Sequence, residues 1–550
     1  MIITSAELTD EIVANVSVCI VGSGAAGITL ACELDRRGYK VLLLEAGSLK
    51  PTKAFQDYYA GHANEPHPAS NEYRRVAFGG TTSIWGGRCV PFDPIDFERR
   101  DYVPESGWPI SYAEVSQYYP RALEYCDAGK FDFTAAGSIP GARPTISGLL
   151  ASSAIQWDLI ERYSLPTNFG ARYGDQLRSS SNVTTVLNAR CVKLTKAATE
   201  DRIESIEIAT IAGTRREIRA RVIVLAMGGI ETTRLLLASD PRGVGYGNRT
   251  DRLGRFYGCH LETTFGKLVP HGARVAFDFE KTSDGVYCRR KFQFTAAAQR
   301  QHQLLNTAFR FHFPEYSDAA HGSSVMSAIY LAKSLLIPEY RNILQHDAVH
   351  AVLSPASAHL KNVALGVPQM SRFGIDWLFR RRLAKRKLPY TLVANADGSF
   401  PLEFNCEQTP LASSRITLAP EVDAHGMKRV RIDWRRSEAD IISAQRAFVL
   451  LRTAFSESSV CRLEFDEKRL IERIGASSPV GGHHIGTTRM ASSAREGVVD
   501  TDGALFDFPN VYVASSSVFP TGSHANPTLT IVALALRLAS HLRSKLATVN

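Results

Sequence analysis

The chain has 550 residues, of which 44% are hydrophobic and 22% are charged. This composition excludes a disordered or collagen-like chain and is typical of a globular protein with a large core. The net charge of +9 permits contact with anionic surfaces but identifies no partner.

The cysteines and the N-terminal residues indicate whether the protein has a metal site and in which compartment it is found. The nine cysteines are scattered and contain no C-x-x-C pair, so we expect neither a metal site nor a disulfide framework. Reduced thiols indicate a cytoplasm, and MIITSAELTDEI lacks the basic-then-apolar pattern of a secretory signal. No run approaches the ~20 apolar residues of a membrane span. We therefore expect a cytoplasmic protein.

A strand, a glycine turn, a helix and a second strand follow one another near the N-terminus. VSVCIVG is a buried-strand pattern, GSGAAG follows, ITLACEL has helical spacing, and YKVLLLEAG contains Glu45. In this order Gly22 allows a tight turn, Gly24 admits a pyrophosphate, and Gly27 lets helix and strand pack closely. The helix N-terminus offers N–H groups to phosphates, and Glu45 can accept hydrogen bonds from a ribose diol. The pattern predicts dinucleotide binding and leaves NAD or FAD open.

Two further stretches extend this unit. FGGTTSIWGGRCVPFDPIDFERRD (78–101) has two Gly–Gly pairs around a small polar and aromatic core, which indicates backbone lying flat against a large ligand. Strands are predicted within 183–213, and residues 220–239 read as strand, turn and helix. Because these elements recur after a long interruption, we predict one domain built from separated segments.

The C-terminal motifs combine two adjacent histidines with a helix start. GGHHIGTTRM contains His483 and His484, and ANPTLTIVALALRLA follows. Asn526 is a favoured N-cap residue and Pro527 suits the first helical position, so the helix is predicted to begin at Asn526. Its positive end could stabilise a ligand anion by roughly 0.3–2 kcal/mol. A histidine, with a reference pKa of ~6.5, suits removal of an alcohol proton.

Together GSGAAG with Glu45, GGTTSIWGG, VIVLAMGGIE, GGHHIGTTRM and NVYVASSSVFPTGSHANPTLTIVALALR resemble the glucose–methanol–choline (GMC) flavin oxidoreductases over most of the chain. The pyranose oxidase and fructose dehydrogenase branch is the nearest. The resemblance implies an FAD domain with a mixed sheet and a substrate domain whose own sheet lies over the isoalloxazine. It also implies His483 as the catalytic base and Asn526 as its partner, with hydride passing to flavin N5.

The expected fold is therefore α/β (α+β), with a discontinuous Rossmann-like FAD domain (1–99, 181–265 and 476–550) and a substrate domain (100–180 and 266–475) that has a mostly antiparallel sheet. The expected cofactor contacts are Gly22, Gly24, Ala25, Ala26, Gly27, Glu45, Ala46, Gly79, Gly80, Thr81, Ser83, Trp85, Gly86, Gly87, Val192, Ala226, Gly228, Ser515, Ser516, Asn526, Pro527 and Thr528.

Some residues of the middle and C-terminal segments are candidates for substrate contact. Residues 409–434 predict a hairpin that turns at DAHG, after strands at YTLVANAD and PLEFNCEQ. Glu407 and Gln408 are expected either to face the pocket and bind sugar hydroxyls or to lie on an ordinary strand edge. His524 is a candidate for the pocket rim. His484 is expected to be a structural or supporting residue.

The stretch 371–390 places Trp, Leu and Phe beside a run of Arg and Lys. A basic amphipathic helix can lie on an anionic membrane, although a charge run is more often a solvated face. The aromatic interleaving of a nucleic-acid platform is missing, so no nucleic-acid partner is expected.

The leading functional hypothesis is FAD-dependent oxidation of a sugar, glycoside or similar polyol, with oxygen or a quinone-like compound as electron acceptor. The alternatives are oxidation of a sterol or other apolar alcohol, an NAD-dependent reductase, and a binding protein without turnover. In pyranose-oxidase relatives, the loop matching TTSIW carries a histidine bonded covalently to the flavin. That position falls on Ile84, which has no nucleophile, so we expect non-covalent FAD.

Overall fold

The computed structural model describes residues 1–14, 16–336, 353–479 and 482–547. The strands are β1 (Ile2–Thr4), β2 (Val18–Val21), β3 (Val41–Leu44), β4 (His62–Ala63), β5 (Arg88–Cys89), β6 (Ile155–Tyr163), β7 (Val183–Leu187), β8 (Arg190–Lys196), β9 (Ile203–Ala209), β10 (Arg215–Arg219), β11 (Val222–Leu225), β12 (Leu261–Pro270), β13 (Glu280–Lys281), β14 (Tyr287–Phe294), β15 (Thr307–Phe311), β16 (Phe400–Cys406), β17 (Arg415–Val422), β18 (Lys428–Asp433), β19 (Cys461–Glu464), β20 (Ala504–Leu505) and β21 (Phe508–Val513).

The α-helices are Asp10–Ala14, Ala25–Asp35, Lys53–Gln56, Pro94–Phe97, Tyr112–Ser116, Tyr119–Tyr125, Ala135–Ser138, Phe169–Ser179, Gly229–Ser239, Ala296–His302, Ser324–Leu336, Ala356–Leu365, Val367–Trp377, Glu438–Ser456, Glu467–Ala476 and Thr528–Ala547. Short 3₁₀ turns occur at Asp57–Tyr59, Gly80–Ser83, Ala319–His321 and Ser516–Val518, and a π-helical turn at Leu378–Arg382. Within the described ranges, no helix is long and apolar enough to cross a membrane.

A seven-stranded, mainly parallel sheet forms the predicted nucleotide unit, in the order β1-β7-β3-β2-β11-β21-β20. Every residue of β2, β3 and β11 is buried, as expected for parallel strands that are covered on both faces. The helix Thr528–Ala547 packs against Ala25–Asp35, so the two ends of the chain meet beside this sheet. The predicted α/β class is confirmed.

An eight-stranded sheet forms the second layer, in the order β19-β12-β16-β15-β14-β6-β5, with β13 paired to β14. Its pairings are antiparallel. One face is aromatic: Phe292, Phe309 and Phe404 pack against Phe448 and Phe455 of the helix Glu438–Ser456. This face supplies the hydrophobic core of the second layer.

The opposite face of the same sheet is polar, because side chains alternate between the two faces along each strand. Glu161 accepts hydrogen bonds from Arg310 and from Arg289, the latter at 3.1 Å. Glu403 accepts from Arg289 at 2.9 Å and from Arg310 at 3.3 Å. All four side chains are buried, and burial of charge is tolerable only when each charge is paired.

The structure confirms some predicted elements and corrects others. The hairpin is β17–β18, closed by Asp423 N–H donating to Met427 O at 2.9 Å. The strand predicted at YTLVANAD was wrong, since residues 390–395 are irregular. The strands β5 and β12 belong to the eight-stranded sheet, although the predicted division placed β5, and β12 as far as residue 265, in the FAD domain.

The C-terminal helix starts later than predicted. It spans Thr528–Ala547, and Pro527 O accepts the hydrogen bond from Ile531 N at 2.8 Å. Pro527 therefore precedes the helix, and Asn526 lies outside it. The start is set by the carbonyl of a proline, which lacks an N–H but retains a full acceptor.

Removal of Glu161 should destabilise the protein strongly. Glu161→Ala leaves Arg289 and Arg310 without one of their buried partners, and breaking a buried pair costs about 3–5 kcal/mol. The measurement is the free energy of unfolding in urea, followed by tryptophan fluorescence. Glu200→Ala is the control, because Glu200 is 63% exposed and lies 3.6 Å from Arg202, and it should change little. Equal effects of the two substitutions would contradict the assigned role of the ion network.

Candidate cofactor and active site

A cavity of about 1140 Å³ lies between the two large sheets. Ordinary small-molecule pockets measure roughly 300–1,000 Å³, so this one has room for more than a small substrate. Its walls come from the glycine turn after β2, the loop 80–88, the loop 226–229, His483 and His484, and the polar face of the eight-stranded sheet.

Most of the sequence-predicted contacts line this cavity, namely Gly22, Gly24, Ala25, Ala26, Glu45, Ala46, Gly80, Thr81, Trp85, Gly86, Gly87, Ala226, Gly228, Ser515, Ser516, Asn526, Pro527, Thr528 and His483. Gly27, Gly79, Ser83, Val192, Glu407, Gln408 and His524 do not line it.

The glycine turn has the shape its spacing predicts. Gly22 has φ +105°, and a Cβ there would lie 2.6 Å from Ala226 O. A Cβ on Gly27 would lie 1.9 Å from Gly22 O, whereas one on Gly24 would meet nothing within 4 Å. The absence of a side chain at Gly22 and Gly27 thus allows the tight turn and its close backbone contacts. At Gly24 it leaves open space on the cavity side.

Glu45 holds the turn in place from the end of β3. Its carboxylate accepts hydrogen bonds from Ser23 Oγ at 2.6 Å and from Gly47 N at 2.8 Å. Burial raises the pKa of Glu45, and these hydrogen bonds oppose that rise. The side chain also borders the cavity, so it can both fix the loop and meet a ligand.

Two further predicted contacts, Gly79 and Ser83, have structural roles beside the cavity, and a third, Val192, is displaced from it. Gly79 N donates to Ser23 O at 3.0 Å, and Ser83 Oγ donates to Gly80 O at 2.9 Å. Val192 lines a separate groove, while Arg190 and Cys191 line the cavity. Val192 therefore does not line the cavity, and the register of β8 against β9 shifts at this point, between Cys191 and Lys193.

His483 and Asn526 meet at the cavity wall. Asn526 Nδ2 lies 3.0 Å from His483 Nε2, and His260 Nδ1 lies 2.8 Å from His483 Nδ1. His260 Nε2 lies 3.1 Å from Gly522 O, which can only accept a hydrogen bond. Neutral His260 must then carry its proton on Nε2, so His483 donates through Nδ1 and keeps its Nε2 lone pair at the cavity side.

Burial lowers the pKa of His483 well below its usual range, and His260 and Arg88 lower it further. The imidazole is therefore neutral at pH 7 and can accept a proton through Nε2. The amide of Asn526 is directed at this nitrogen rather than at the helix that follows. Asn526 Oδ1 is buried and has no hydrogen-bond partner among the described residues.

His484 belongs to a second chain of the same kind. His67 Nδ1 lies 2.6 Å from Pro68 O, which is an acceptor only, and His67 Nε2 lies 2.9 Å from Tyr257 Oη. Tyr257 Oη lies 2.6 Å from His484 Nδ1. Tyr257 must donate to His67, so His484 donates to Tyr257 through Nδ1. Its Nε2 then carries a lone pair, and this buried atom lacks a partner within the described ranges.

The wall formed by the eight-stranded sheet is charged. Arg88 lies 3.7 Å from Glu262 and 3.6 Å from Glu403, and all three line the cavity together with His312. Burial and the nearby carboxylate of Glu403 raise the pKa of Glu262 to about 7. Near neutral pH the Glu262 carboxyl can therefore either donate or accept a hydrogen bond.

The expected substrate contacts are corrected by the structure. Glu407 is fully buried in a bidentate pair with Arg100 at 2.7 Å for both hydrogen bonds. Gln408 Oε1 accepts from Cys259 N and Trp434 Nε1, both at 3.0 Å. Both side chains are hydrogen-bonded to these partners away from the cavity, and both residues follow the end of β16, which is a central strand of its sheet.

His524 lies behind the cavity wall and not at its rim. It is fully buried, 3.2 Å from Lys291 Nζ and 3.5 Å from Asp93 Oδ2. These contacts anchor the loop that leads to Asn526. The same loop contains Ser523 in a left-handed conformation, with φ +55°.

Sequence reasoning missed His260, Arg88, Glu262, His312 and Glu403. The available signal was the alternation of polar residues in HLETT, where His260, Glu262 and Thr264 are two residues apart. In a strand such residues share one face. That face could not be assigned to a cavity until its partner strands were known.

The residues fit a flavin dinucleotide. The turn at Gly24 is open toward the cavity, and Glu45 stands at the end of the second strand, where a ribose acceptor is expected. His484 Nε2 and Asn526 Oδ1 are buried cavity-side acceptors without protein donors among the described residues. The helix Thr528–Ala547 also presents its N-terminus to the cavity through Pro527 and Thr528.

Comparison with known proteins agrees with this site. Residues 410–535 match the family model described as GMC oxidoreductase, and residues 20–49 match the NAD(P)-binding Rossmann-like domain. The chain is 24% identical to 2-methyl-1,2-propanediol dehydrogenase of Mycolicibacterium austroafricanum, over 98% of this chain and 96% of that protein. It is 23% identical to paromamine 6'-oxidase of Streptomyces fradiae, over 95% and 90%.

A solved structure supports the same fold. Pyridoxine 4-oxidase from Mesorbium loti superposes with a TM-score of 0.52 at 18% identity, covering 96% of this chain and 99% of that one. Residues 410–535 thus match the GMC oxidoreductase domain, and the chain is an FAD-dependent oxidoreductase.

Proposed function

We propose that this protein oxidises a CH–OH group of a sugar, glycoside or similar polyol to a carbonyl, with His483 as the base. The observation that carries the proposal is the neutral His483, whose Nε2 lone pair meets Asn526 Nδ2 at 3.0 Å on the cavity wall. FAD bound in the cavity would supply the acceptor for the hydride.

The proton would leave through His483. When a substrate binds, Asn526 Nδ2 can donate to the substrate hydroxyl oxygen instead of to His483 Nε2. The freed lone pair of Nε2 can then accept the hydroxyl proton. As the hydride departs, the C–OH group becomes a protonated carbonyl, which is a strong acid. A base of low pKa can therefore take this proton. His260 and the carbonyl of Gly522 hold the ring in the required tautomer.

The charged wall favours a polyhydroxylated substrate over a sterol. Arg88, Glu262 and Glu403 would be left without water beside an apolar molecule, at the cost of desolvating charged groups. Sugar hydroxyls can replace that water as both donors and acceptors. Among relatives, the name paromamine 6'-oxidase denotes a sugar-type substrate, and that protein matches 95% of this chain. C-glycoside 3-oxidase and cholesterol oxidase match over only 22% and 26% of it.

The cofactor contacts proposed are the cavity-lining residues of the glycine turn, Glu45, the loop 80–87, Ser515, Ser516 and the start of the C-terminal helix. We propose oxygen or a quinone-like compound as the acceptor that reoxidises the flavin, and a cytoplasmic location. Peripheral membrane contact is proposed for a surface outside the catalytic centre.

Anaerobic flavin bleaching by a panel of alcohols tests the proposal. Glucose, simple glycosides and diols should bleach the flavin absorbance, and cholesterol in detergent should not. The same assay should show a loss of about 10²–10⁴ in the reduction rate for His483→Ala, the usual contribution of a general base. Bleaching by cholesterol alone would favour the sterol alternative, and absence of bound flavin would favour a nicotinamide enzyme.

His484→Ala is the matched control, because the neighbouring histidine is buried in a similar chain of hydrogen bonds. It should lose much less than His483→Ala while keeping the flavin. If His484→Ala loses more, the roles of the two histidines are reversed.

The pH profile provides a separate test of the buried base. Because the pKa of His483 is well below its usual range, the base stays unprotonated as pH falls. In Glu262→Gln, which removes the wall carboxyl whose pKa is about 7, the limiting rate of flavin reduction should therefore change little between pH 8 and pH 6. A base with the ordinary pKa of ~6.5 would instead be about three-quarters protonated at pH 6, and a fourfold fall in rate would contradict the assignment.

Acid precipitation tests how the cofactor is held. Ile84 lines the cavity and offers no nucleophile, and the nearby thiol of Cys89 is fully buried with its Sγ 3.6 Å from Gly87 O. Denatured protein should therefore be colourless, with free FAD in the supernatant. A pellet that stays yellow would show a covalent bond, and Cys89→Ser would then identify its source.

A further inference from the structure

A group of exposed apolar side chains lies on the helices and adjoining residues between 353 and 383. Of the 19 large apolar side chains that are exposed in the described chain, nine lie in this segment. They include Ile375 at 61% exposure, Phe379 at 62% and Leu383 at 64%. Single exposed apolar residues are normal, but a contiguous group marks an interaction surface.

The helix Val367–Trp377 at the centre of this group has no buried residue. A helix in a globular protein normally buries one apolar stripe against the core. Here Val367, Ile375 and Trp377 are all exposed, although the helix also contacts Ser324–Leu336 and Ala356–Leu365. The helix Ala356–Leu365 buries only His359.

The charge of the same segment is strongly positive. Residues 353–390 contain eight Lys and Arg and one acidic residue, Asp376. Arg372, Arg382, Lys385 and Lys387 are exposed, and the described structure records no ion pair for any of them. Apolar side chains flanked by unpaired basic ones match the interface of an anionic bilayer, where the apolar groups enter the acyl boundary and the cations meet the headgroups.

The surface adjoins the mouth of the cavity. Leu353, which is 66% exposed, lines the cavity together with Arg381, Pro389 and Tyr390. A binding partner that covers the exposed apolar side chains would therefore lie next to the cavity entrance.

We propose that the surface formed by residues 353–387 docks on an anionic lipid bilayer, with the cavity mouth beside the headgroups. The two helices lie on the bilayer and do not span it, since they have 10 and 11 residues and a span needs about 20. A lipid surface fits this segment because basic and exposed apolar side chains occur together on it. The basic stretch 371–390 alone is thus only part of the surface.

Vesicle flotation of the flavin-loaded protein tests the proposal. The protein should float with phosphatidylcholine vesicles that contain phosphatidylglycerol at low salt, and high salt should weaken this binding. Arg382→Gln and Lys385→Gln should each weaken vesicle binding about fivefold. This factor corresponds to the ~1 kcal/mol that a basic residue contributes near an anionic leaflet. Phe379→Ser with Leu383→Ser should also weaken it.

The matched control removes two exposed lysines elsewhere, Lys53→Gln with Lys468→Gln, and should bind as the unaltered protein does. Flavin absorbance and circular dichroism check that each variant is folded. Failure of the unaltered protein to bind anionic vesicles at low salt would overturn the proposal in favour of an acidic protein partner or a solvated face. Equal weakening in the control would also overturn it, because attraction would then reflect net charge alone.

Brominated lipids test the position of the surface. Bromine in the acyl chains of anionic vesicles should quench the fluorescence of Trp377. The Trp377→Phe protein should therefore show less loss of tryptophan fluorescence with the same vesicles. Identical quenching in the two proteins would place Trp377 outside the bilayer and contradict the proposal.

Discussion

The arrangement of charge on the inner face of the eight-stranded sheet is the constraint on which the site depends. Arg289 and Arg310 each contact both Glu161 and Glu403. Because each arginine is paired with two glutamates, one face of the sheet can be charged and line the cavity. The other face of the sheet packs in the aromatic core. A hydrophobic inner face would fill with side chains and close the cavity, whereas a charged face can remain open to polar groups. The same pairs position Arg88 and Glu262 at the cavity wall.

Two backbone carbonyls determine the protonation of both histidines in the C-terminal motif. Gly522 O orients His260 and therefore His483, and Pro68 O orients His67, Tyr257 and therefore His484. A carbonyl has no donor and cannot reverse its role, so each chain has one direction while its histidines are neutral. Burial keeps them neutral, because it lowers the pKa values of His483 and His484. Both chains end with a lone pair on Nε2.

The loop before the last helix shows how one side chain is freed for another task. Pro527 O accepts the first helical hydrogen bond, so Pro527 directly precedes the helix and Asn526 lies outside it. His524, held by Lys291 and Asp93, fixes the loop from behind. Asn526 can then direct its amide at His483. The backbone at 526–528 thus has two consequences. The helix begins without a side-chain cap from Asn526, and the Asn526 amide is placed beside His483.

The sequence alone determined the features that depend on neighbouring residues. The order of β2, glycine turn, helix and β3 followed from GSGAAG between two apolar runs, and the hairpin β17–β18 followed from its DAHG turn. Both depend on local sterics and on alternation, which are visible in one stretch of chain. The pairing of His483 with Asn526 was expected from the family resemblance, and the structure brings the two side chains together.

Only the tertiary structure decided which polar strand residues face the cavity. Glu403 lies on β16 and Glu407 directly follows that strand, yet Glu407 pairs with Arg100 and Glu403 borders the cavity. Their sequence surroundings give no reason to choose between them. His260 was invisible as a partner of His483 because 223 residues separate them. Such choices depend on which distant strand lies opposite, and that is settled by the packing of the whole chain.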